Sequence, residues 1–142
     1  MKAQIIIREI AADDNAQMAA IIRSSLEDFN AVKPGTVYFD KSTDHLFELF
    51  QTEQATYFIA ETDGKVVAGA GVFPTEGLPG KTCELVKMYV SSGARGKGLG
   101  KLLLRQCINE AKANGFEHMY IETMPELTTA IEMYKKNGFT FI

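Results

Sequence analysis

Apolar residues recur along this chain with two periods, and the points where one period gives way to the other mark its elements. Gln4 to Ile10 reads as a first strand. Asp13 and Asp14 are suited to cap a helix running to about Leu26, in which Met18, Ile21, Ile22 and Leu26 share a face. Lys33-Pro34-Gly35-Thr36 reads as a loop, and Ser42 or Thr43 would cap a short helix carrying Leu46, Phe47 and Phe50. Thr56 to Ala60 and Val66 to Phe73 are β-rich runs on either side of Asp63-Gly64, the signature of a tight hairpin. After a loop at Pro74–Gly80, Thr82 to Val90 forms another strand.

The next helix, about Gly98 to Asn114, is strongly two-faced. Leu99, Leu103, Cys107 and Ala111 form one row with Leu104 and Ile108 beside it, while Lys101, Arg105, Asn109 and Lys112 lie opposite. Gly115 stops it. Phe116 to Thr123 reads as a strand, Glu126 to Asn137 as a helix ended by Gly138, and Phe139 to Ile142 begins a last strand. The order is β-α-α-β-β-β-α-β-α-β. A hairpin in the front half implies antiparallel pairing, and a βαβ unit in the back half implies parallel pairing with a right-handed crossover. The expected class is therefore α/β with a mixed sheet, antiparallel in front, parallel behind and flanked by helices.

Composition narrows the picture further. The 142 residues suit a single domain, 1–142, and a hydrophobic share of 46% against 23% charged is that of a globular chain with a core. No apolar run approaches the roughly 20 residues that cross a bilayer, and Met1 to Ile10 passes directly into a strand pattern with Arg8 and Glu9 rather than a signal peptide. A cytoplasmic protein with no membrane partner is expected. The net charge of −3 argues against nucleic-acid binding, which rests on clustered cations. Yet Arg95, Lys97, Lys101 and Arg105 crowd into eleven residues, which suits a small anionic ligand. Cys83 and Cys107 sit in apolar patterns as buried free thiols. His45 and His118 have no metal-ligand spacing with them, so no metal is expected. Cys83 as a nucleophile with His118 as its base would need the fold to bring the two together.

The sharpest local feature is Arg95-Gly96-Lys97-Gly98-Leu99-Gly100, between a strand and the two-faced helix. Glycines let a backbone approach a ligand closely, and a helix's first turn carries N–H groups without internal partners, so such a turn binds anions. It is not a Walker loop, because Gly100-Lys101 is followed by Leu102 and Arg95 stands where the first glycine is needed. Nor is it a dinucleotide fingerprint, since the spacing is Gly-x-Gly-x-Gly.

That turn, with Cys83-Glu84-Leu85-Val86-Lys87-Met88-Tyr89-Val90 before it, Tyr120-Ile121-Glu122-Thr123 after it and Ala130-Ile131-Glu132-Met133-Tyr134-Lys135-Lys136-Asn137-Gly138-Phe139 behind, resembles the GCN5-related N-acetyltransferase (GNAT) superfamily. The likeness is strong from Cys83 to Phe139 and topological before it. It implies a GNAT-like acyl-CoA N-acyltransferase fold and an enzyme that moves acetyl from acetyl-CoA, its co-substrate, to a primary amine. The pyrophosphate would rest on Arg95, Gly96, Lys97, Gly98, Leu99, Gly100 and Lys101. The pantetheine would pair like an extra strand with Met88, Tyr89 and Val90, and a backbone N–H of Tyr89 or Val90 would receive the oxyanion.

Regular alternation puts Glu84, Val86, Met88 and Val90 on one face, and a carboxylate on a largely apolar strand is costly unless it is solvated or employed. Glu84 matches a general-base position in part of the family; a strand-start glutamate facing solvent or pairing with Lys81 or Lys65 is the plainer reading. Tyr134 matches the family's frequent acid for the coenzyme A thiolate, against the plainer reading of a packed helix aromatic. Glu122 could line the site. The acceptor wall is expected from Glu27 to Asp40 and from Pro74-Thr75-Glu76-Gly77. Its acids Glu27, Asp28, Asp40 and Glu76, with Lys33, suit a small amine or amino-acid-like acceptor. A non-catalytic acyl-CoA sensor and a protein N-acetyltransferase are the alternatives.

Two departures stand out. Leu127 replaces an asparagine common in the family, and the chain stops at Ile142 where relatives continue with a strand or hairpin. The expectation is a domain short of its final strand, with an open sheet edge that favours pairing with a second copy.

Overall fold

The computed structural model describes residues 4–32, 34, 38–75, 77, 81–122 and 128–140. Five strands form one sheet in chain order: β1 (Ile5–Glu9), β2 (Thr56–Thr62), β3 (Lys65–Pro74), β4 (Thr82–Val90) and β5 (His118–Ile121). The first four pair antiparallel, and β5 pairs parallel to β4. The crossover between them is α3 (Leu99–Ala113), and α4 (Thr128–Lys136) follows β5. Between β1 and β2 lie α1 (Asn15–Asp28) and the single-turn α2 (Leu46–Leu49). The mixed sheet expected from the sequence is thus the sheet observed. The last predicted strand is not: Phe139 and Thr140 have no regular structure, and 141–142 lie outside the described residues. Phe139 packs instead against the Tyr134 ring, centroids 6.0 Å apart.

The two sheet faces are covered by different helices. On one face the predicted row Leu99, Leu103, Cys107 and Ala111, with Leu104, seals α3 onto Phe58, Ala60, Ala68, Ala70, Val72, Cys83 and Leu85. On the other, Met18, Ile22 and Leu26 of α1 and Leu46 of α2 meet Phe50, Tyr57, Ile59 and Val66. Each fully buried leucine or isoleucine contributes about 2–3 kcal/mol through removal from water.

Asp14 reaches the start of α1 in a different role from the expected cap. No side-chain cap bond forms there. Its buried carboxylate accepts the Ala11 N–H at 2.7 Å and both Arg8 Nη atoms at 2.7 and 2.9 Å, tying β1 to α1. Arg8 and that hydrogen bond hold Asp14 below the usual carboxylate range despite its burial. The turn Lys41–Asp44 that leads into α2 is capped two residues before Ser42, Asp40 accepting the Ser42 N–H at 2.9 Å.

The β3–β4 pairing carries the irregularity that matters for the site. Gly69 pairs with Tyr89 and Gly71 with Val86, so Ala70 alone opposes Lys87 and Met88. At this bulge Lys87 takes φ +52°, a left-handed conformation usually held by glycine. The bulge resets the alternation and corrects the expected face. Val86 packs on the α1 side with Tyr89, and Met88 and Val90 pack on the α3 side with Cys83 and Leu85. Glu84, which alternates with Cys83 and Leu85, shares the α1 side with Val86 but not with Met88 or Val90.

Tyr57 holds the bulge in place. Its ring lies so close to β3 that a Cβ on Gly69 would stand 2.6 Å from Cε1, and one on Gly71 would stand 2.6 Å from Cδ2. The hydroxyl at the far end donates to the Lys87 carbonyl at 2.6 Å. Gly71→Ala should therefore push the tyrosine off its seat and lower stability by about 2–3 kcal/mol in urea unfolding. Unchanged stability would show that the ring is not clamped there.

Candidate active site

β4 is longer than its parallel neighbour. The pairing with β5 runs from Thr82↔His118 to Leu85↔Ile121 and then ends, while β4 continues to Val90. Among the described residues, the β5-side edge of Val86–Val90 is therefore not used by the sheet. Backbone groups on such an edge need partners, and an extended ligand can supply them.

Beyond Val90 the chain turns through Ser92–Ala94 and Arg95 into α3. Gly96 (φ +78°) and Gly98 (φ +81°) make this turn left-handed, and a Cβ on either would meet nothing within 4 Å, so the glycines serve the conformation and face open space. Gly98 occupies the N-cap of α3, no side chain caps the helix, and its first turn carries no acid. The N-terminus of a 15-residue helix thus stands bare, with Lys97 and Lys101 exposed beside it. Its unpaired N–H groups and dipole suit an anion such as a pyrophosphate. Gly100 has a packing role as well: Met133 Sδ of α4 would lie 3.2 Å from a Cβ there.

Arg95 is placed otherwise than its sequence position suggests. Its Nε donates to the Val90 carbonyl at 3.0 Å and its Nη2 to Ser25 Oγ at 3.2 Å. The guanidinium also lies 3.4 Å from Asp28 and 4.7 Å over the Phe29 ring. Its charge is committed to the end of α1, so it anchors the turn, and the charges left beside the bare helix end are those of the two lysines.

Two titratable side chains flank the unpaired part of β4 from opposite faces. Glu84 lies half-buried on the α1 side, 3.5 Å from Thr75 Oγ1. Burial and the nearby Glu122 charge raise its pKa, and Thr75 and Lys87 only partly oppose that. Neither Lys81 nor Lys65 pairs with it. Tyr134 is buried on the α3 side, its hydroxyl pointing at Met88 Sδ at 3.8 Å, and burial pushes the phenol up to about 12. Glu122 is exposed at the end of β5.

The expected acceptor wall is in part structural. Glu27 accepts the Tyr38 hydroxyl at 2.7 Å, Asp28 faces Arg95 and Asp40 caps Ser42. Lys33, Glu76 and Leu127 lie outside the described residues. Sequence reasoning passed over Lys87 and Tyr57. The available signal was a lysine inside an apolar strand, opposite the Gly69-Ala70-Gly71 run of its neighbour.

Other candidates come apart. The Cys83 thiol faces the His118 carbonyl at 3.6 Å rather than its imidazole, and His118 is exposed. Burial pushes Cys83 up to about 11 and Cys107 up to about 12. Among the described residues, no three His, Cys, Asp or Glu side chains could together hold a metal ion, and no helix is long and apolar enough to cross a membrane. A hollow lined by Pro74, Lys81, Thr82, Asn114 and Phe116 opens at the start of β4, at the opposite end of that strand from the glycine turn.

Known proteins share this fold. Residues 18–139 match the Acetyltransferase (GNAT) family. The uncharacterised N-acetyltransferase YjgM of Escherichia coli (strain K12) is 33% identical over 138 residues, covering 96% of this chain and 83% of that protein. A GNAT-family acetyltransferase structure from Staphylococcus aureus Mu50 superposes with TM-score 0.87 at 21% identity, covering 98% of this chain and 85% of that one. A predicted acetyltransferase from Clostridium acetobutylicum, crystallised with acetyl-CoA, superposes with TM-score 0.80 at 21% identity, covering 98% and 92%. The fold and the matched sequence define an acetyl-CoA-dependent N-acetyltransferase. The chain belongs to the GNAT family.

The thiols give a direct check on the geometry. In the native protein both cysteines should resist a thiol reagent such as dithionitrobenzoate at neutral pH and react only on unfolding. Rapid labelling of Cys83 in the folded state would contradict its placement between β4 and the core.

Proposed function

We propose that this enzyme acetylates the primary amine of a small or amino-acid-like acceptor by direct attack on the thioester of acetyl-CoA. One observation carries the reading: the unpaired stretch of β4 leads straight to the bare N-terminus of α3, with Glu84 on one face and Tyr134 on the other. The residues present fit acetyl-CoA. Gly96 to Lys101, with the lysine charges, would take the pyrophosphate, and the Met88–Val90 edge would take the pantetheine amides.

An alkylamine is protonated below about pH 10.4 and must lose its proton to attack. Glu84, raised toward neutrality, is suited to remove it directly or through one water. The new C–N bond forms as charge gathers on the thioester oxygen, where a backbone N–H of Tyr89 or Val90 would receive it. The C–S bond then breaks. Tyr134, a phenol that burial pushes up to about 12, holds its proton at neutral pH as any tyrosine does, and it would donate to the departing sulfur, leaving coenzyme A as the thiol.

A spectrophotometric screen for released coenzyme A across amines, amino acids, peptides and histone tails tests the reading. Turnover of small amines supports it, and turnover of protein substrates alone would overturn the acceptor class. Binding of acetyl-CoA with no turnover of any amine would make the protein a sensor. Tyr134→Phe should lower kcat about a hundredfold with acetyl-CoA affinity kept. An unimpaired rate would remove Tyr134 from the chemistry.

The pH profile offers a second check. Activity should fall with decreasing pH along a limb above the ordinary carboxylate range, because the base works ionised and its environment raises its pKa. Glu122→Gln removes a like charge, so it should move that limb to lower pH. A limb unmoved by Glu122→Gln, or one that survives Glu84→Gln, would assign the base elsewhere.

A further inference from the structure

Lys87 has a conformation, a position and a charge that the chemistry proposed above leaves unused. On a regular strand, residues three apart lie on opposite faces, so Lys87 would turn away from Glu84. The bulge sets it at φ +52°, a left-handed conformation that strains an L side chain and that glycine adopts freely. In that pose the ammonium lies in the fields of both Glu84 and Asp40, the latter from the loop between α1 and α2. The face in question is therefore the one on which the acceptor wall was expected.

The lysine is half-buried, and loss of water lowers its pKa, with Asp40 and Glu84 opposing that only in part. Neither carboxylate closes onto it. Asp40 is held by the Ser42 N–H at 2.9 Å and Glu84 stands 3.5 Å from Thr75 Oγ1. Among the described residues no hydrogen bond or ion pair fixes the ammonium. A half-desolvated cation without a contact partner, next to a raised carboxylate, makes a site with two poles. The negative pole is Glu84 backed by Glu122, and the positive pole is Lys87. Its complement carries an amine at one end and a single negative charge at the other, because the surrounding acids would repel a dianion.

We propose that Lys87 receives the carboxylate of an acceptor whose reacting amine lies a few bonds away, making a free amino acid or a close analogue the substrate class. This rests on the acetyltransferase reading and gives its acceptor a second recognised group. Lys87 is thus a specificity residue, and its backbone carbonyl, held by Tyr57, fixes the place from which the side chain projects.

The test compares coenzyme A release for amino acids and for their methyl esters at saturating acetyl-CoA, in the wild type, Lys87→Gly and Lys87→Arg. Glycine suits the left-handed backbone, so it removes the charge without strain. Wild type should favour the free acid in kcat/KM by about ten- to a hundredfold, the strength of a hydrogen bond to a charged group. Lys87→Gly should bring that ratio toward one, mainly through KM for the acid, and Lys87→Arg should restore much of it. A wild-type ratio near one, or a ratio unchanged in Lys87→Gly, overturns the carboxylate assignment while the acetyltransferase reading stands. Release of no coenzyme A with any acceptor of either kind overturns that reading and this inference with it. If Lys87→Gly fails to bind acetyl-CoA by calorimetry, the wild-type ratio alone decides, preference for the acid supporting the proposal and parity overturning it.

Discussion

A tyrosine hydroxyl donating across the width of one strand to the carbonyl of the next is the contact on which this site depends. Tyr57 starts on β2, lies flat over Gly69 and Gly71 of β3, and reaches the Lys87 carbonyl on β4 at 2.6 Å. Two features make the bond possible. The glycines leave room for the ring, and the bulge turns the carbonyl toward it. Full burial pushes the Tyr57 phenol well above its ordinary range, so it remains a donor at any working pH. Downstream of this point β4 has its faces exchanged, Met88 under Tyr134 and Tyr89 toward α1. Upstream it keeps Glu84 toward α1 and Cys83 in the core.

The exchange of faces has a chemical use in the proposed reaction. A direct transfer needs a base where the amine arrives and a donor where the sulfur departs, and these are different places. With the strand turned over between Val86 and Met88, the base side faces the α1 and α2 elements and the acid side faces α3 and α4. Arg95 adds a mechanical link between the two halves. It joins the carbonyl of Val90 and the start of the glycine turn to Ser25, Asp28 and Phe29 at the end of α1. The segment suited to phosphate and the segment suited to the acceptor are thus fastened to one another by one planar side chain, able to donate, pair and stack at once.

Much of the fold could be read from the sequence, because periodicity reports burial directly. The α3 row, the Asp63-Gly64 hairpin and the parallel unit after it all stand where the pattern put them. The turn between strand and helix at Arg95–Gly100 was equally legible, and glycine's freedom allows the positive φ that Gly96 and Gly98 adopt there. Three features were not. The face exchange at Lys87 breaks the period of two that the reading relied on, and a bulge at a non-glycine residue has no local signature. Asp14 makes no side-chain cap bond and instead binds Arg8 of β1, a tertiary partner, while the turn before α2 is capped by Asp40 rather than by Ser42 or Thr43. The charge of Arg95 is expected at the turn, whereas its guanidinium meets Ser25, Asp28 and Phe29, which lie 66–70 positions away in the sequence, a distance that no local pattern spans.

The central claim is that the unpaired edge of β4 and the bare end of α3 act together as one binding surface for acetyl-CoA. Amide hydrogen exchange of the protein with and without acetyl-CoA tests it most directly. The account predicts new protection at Met88–Val90 and at Gly96–Lys101 in the same titration, with one midpoint for both. Saturable binding that leaves both segments unprotected, or protects the glycine turn alone while the β4 edge exchanges as before, would contradict it.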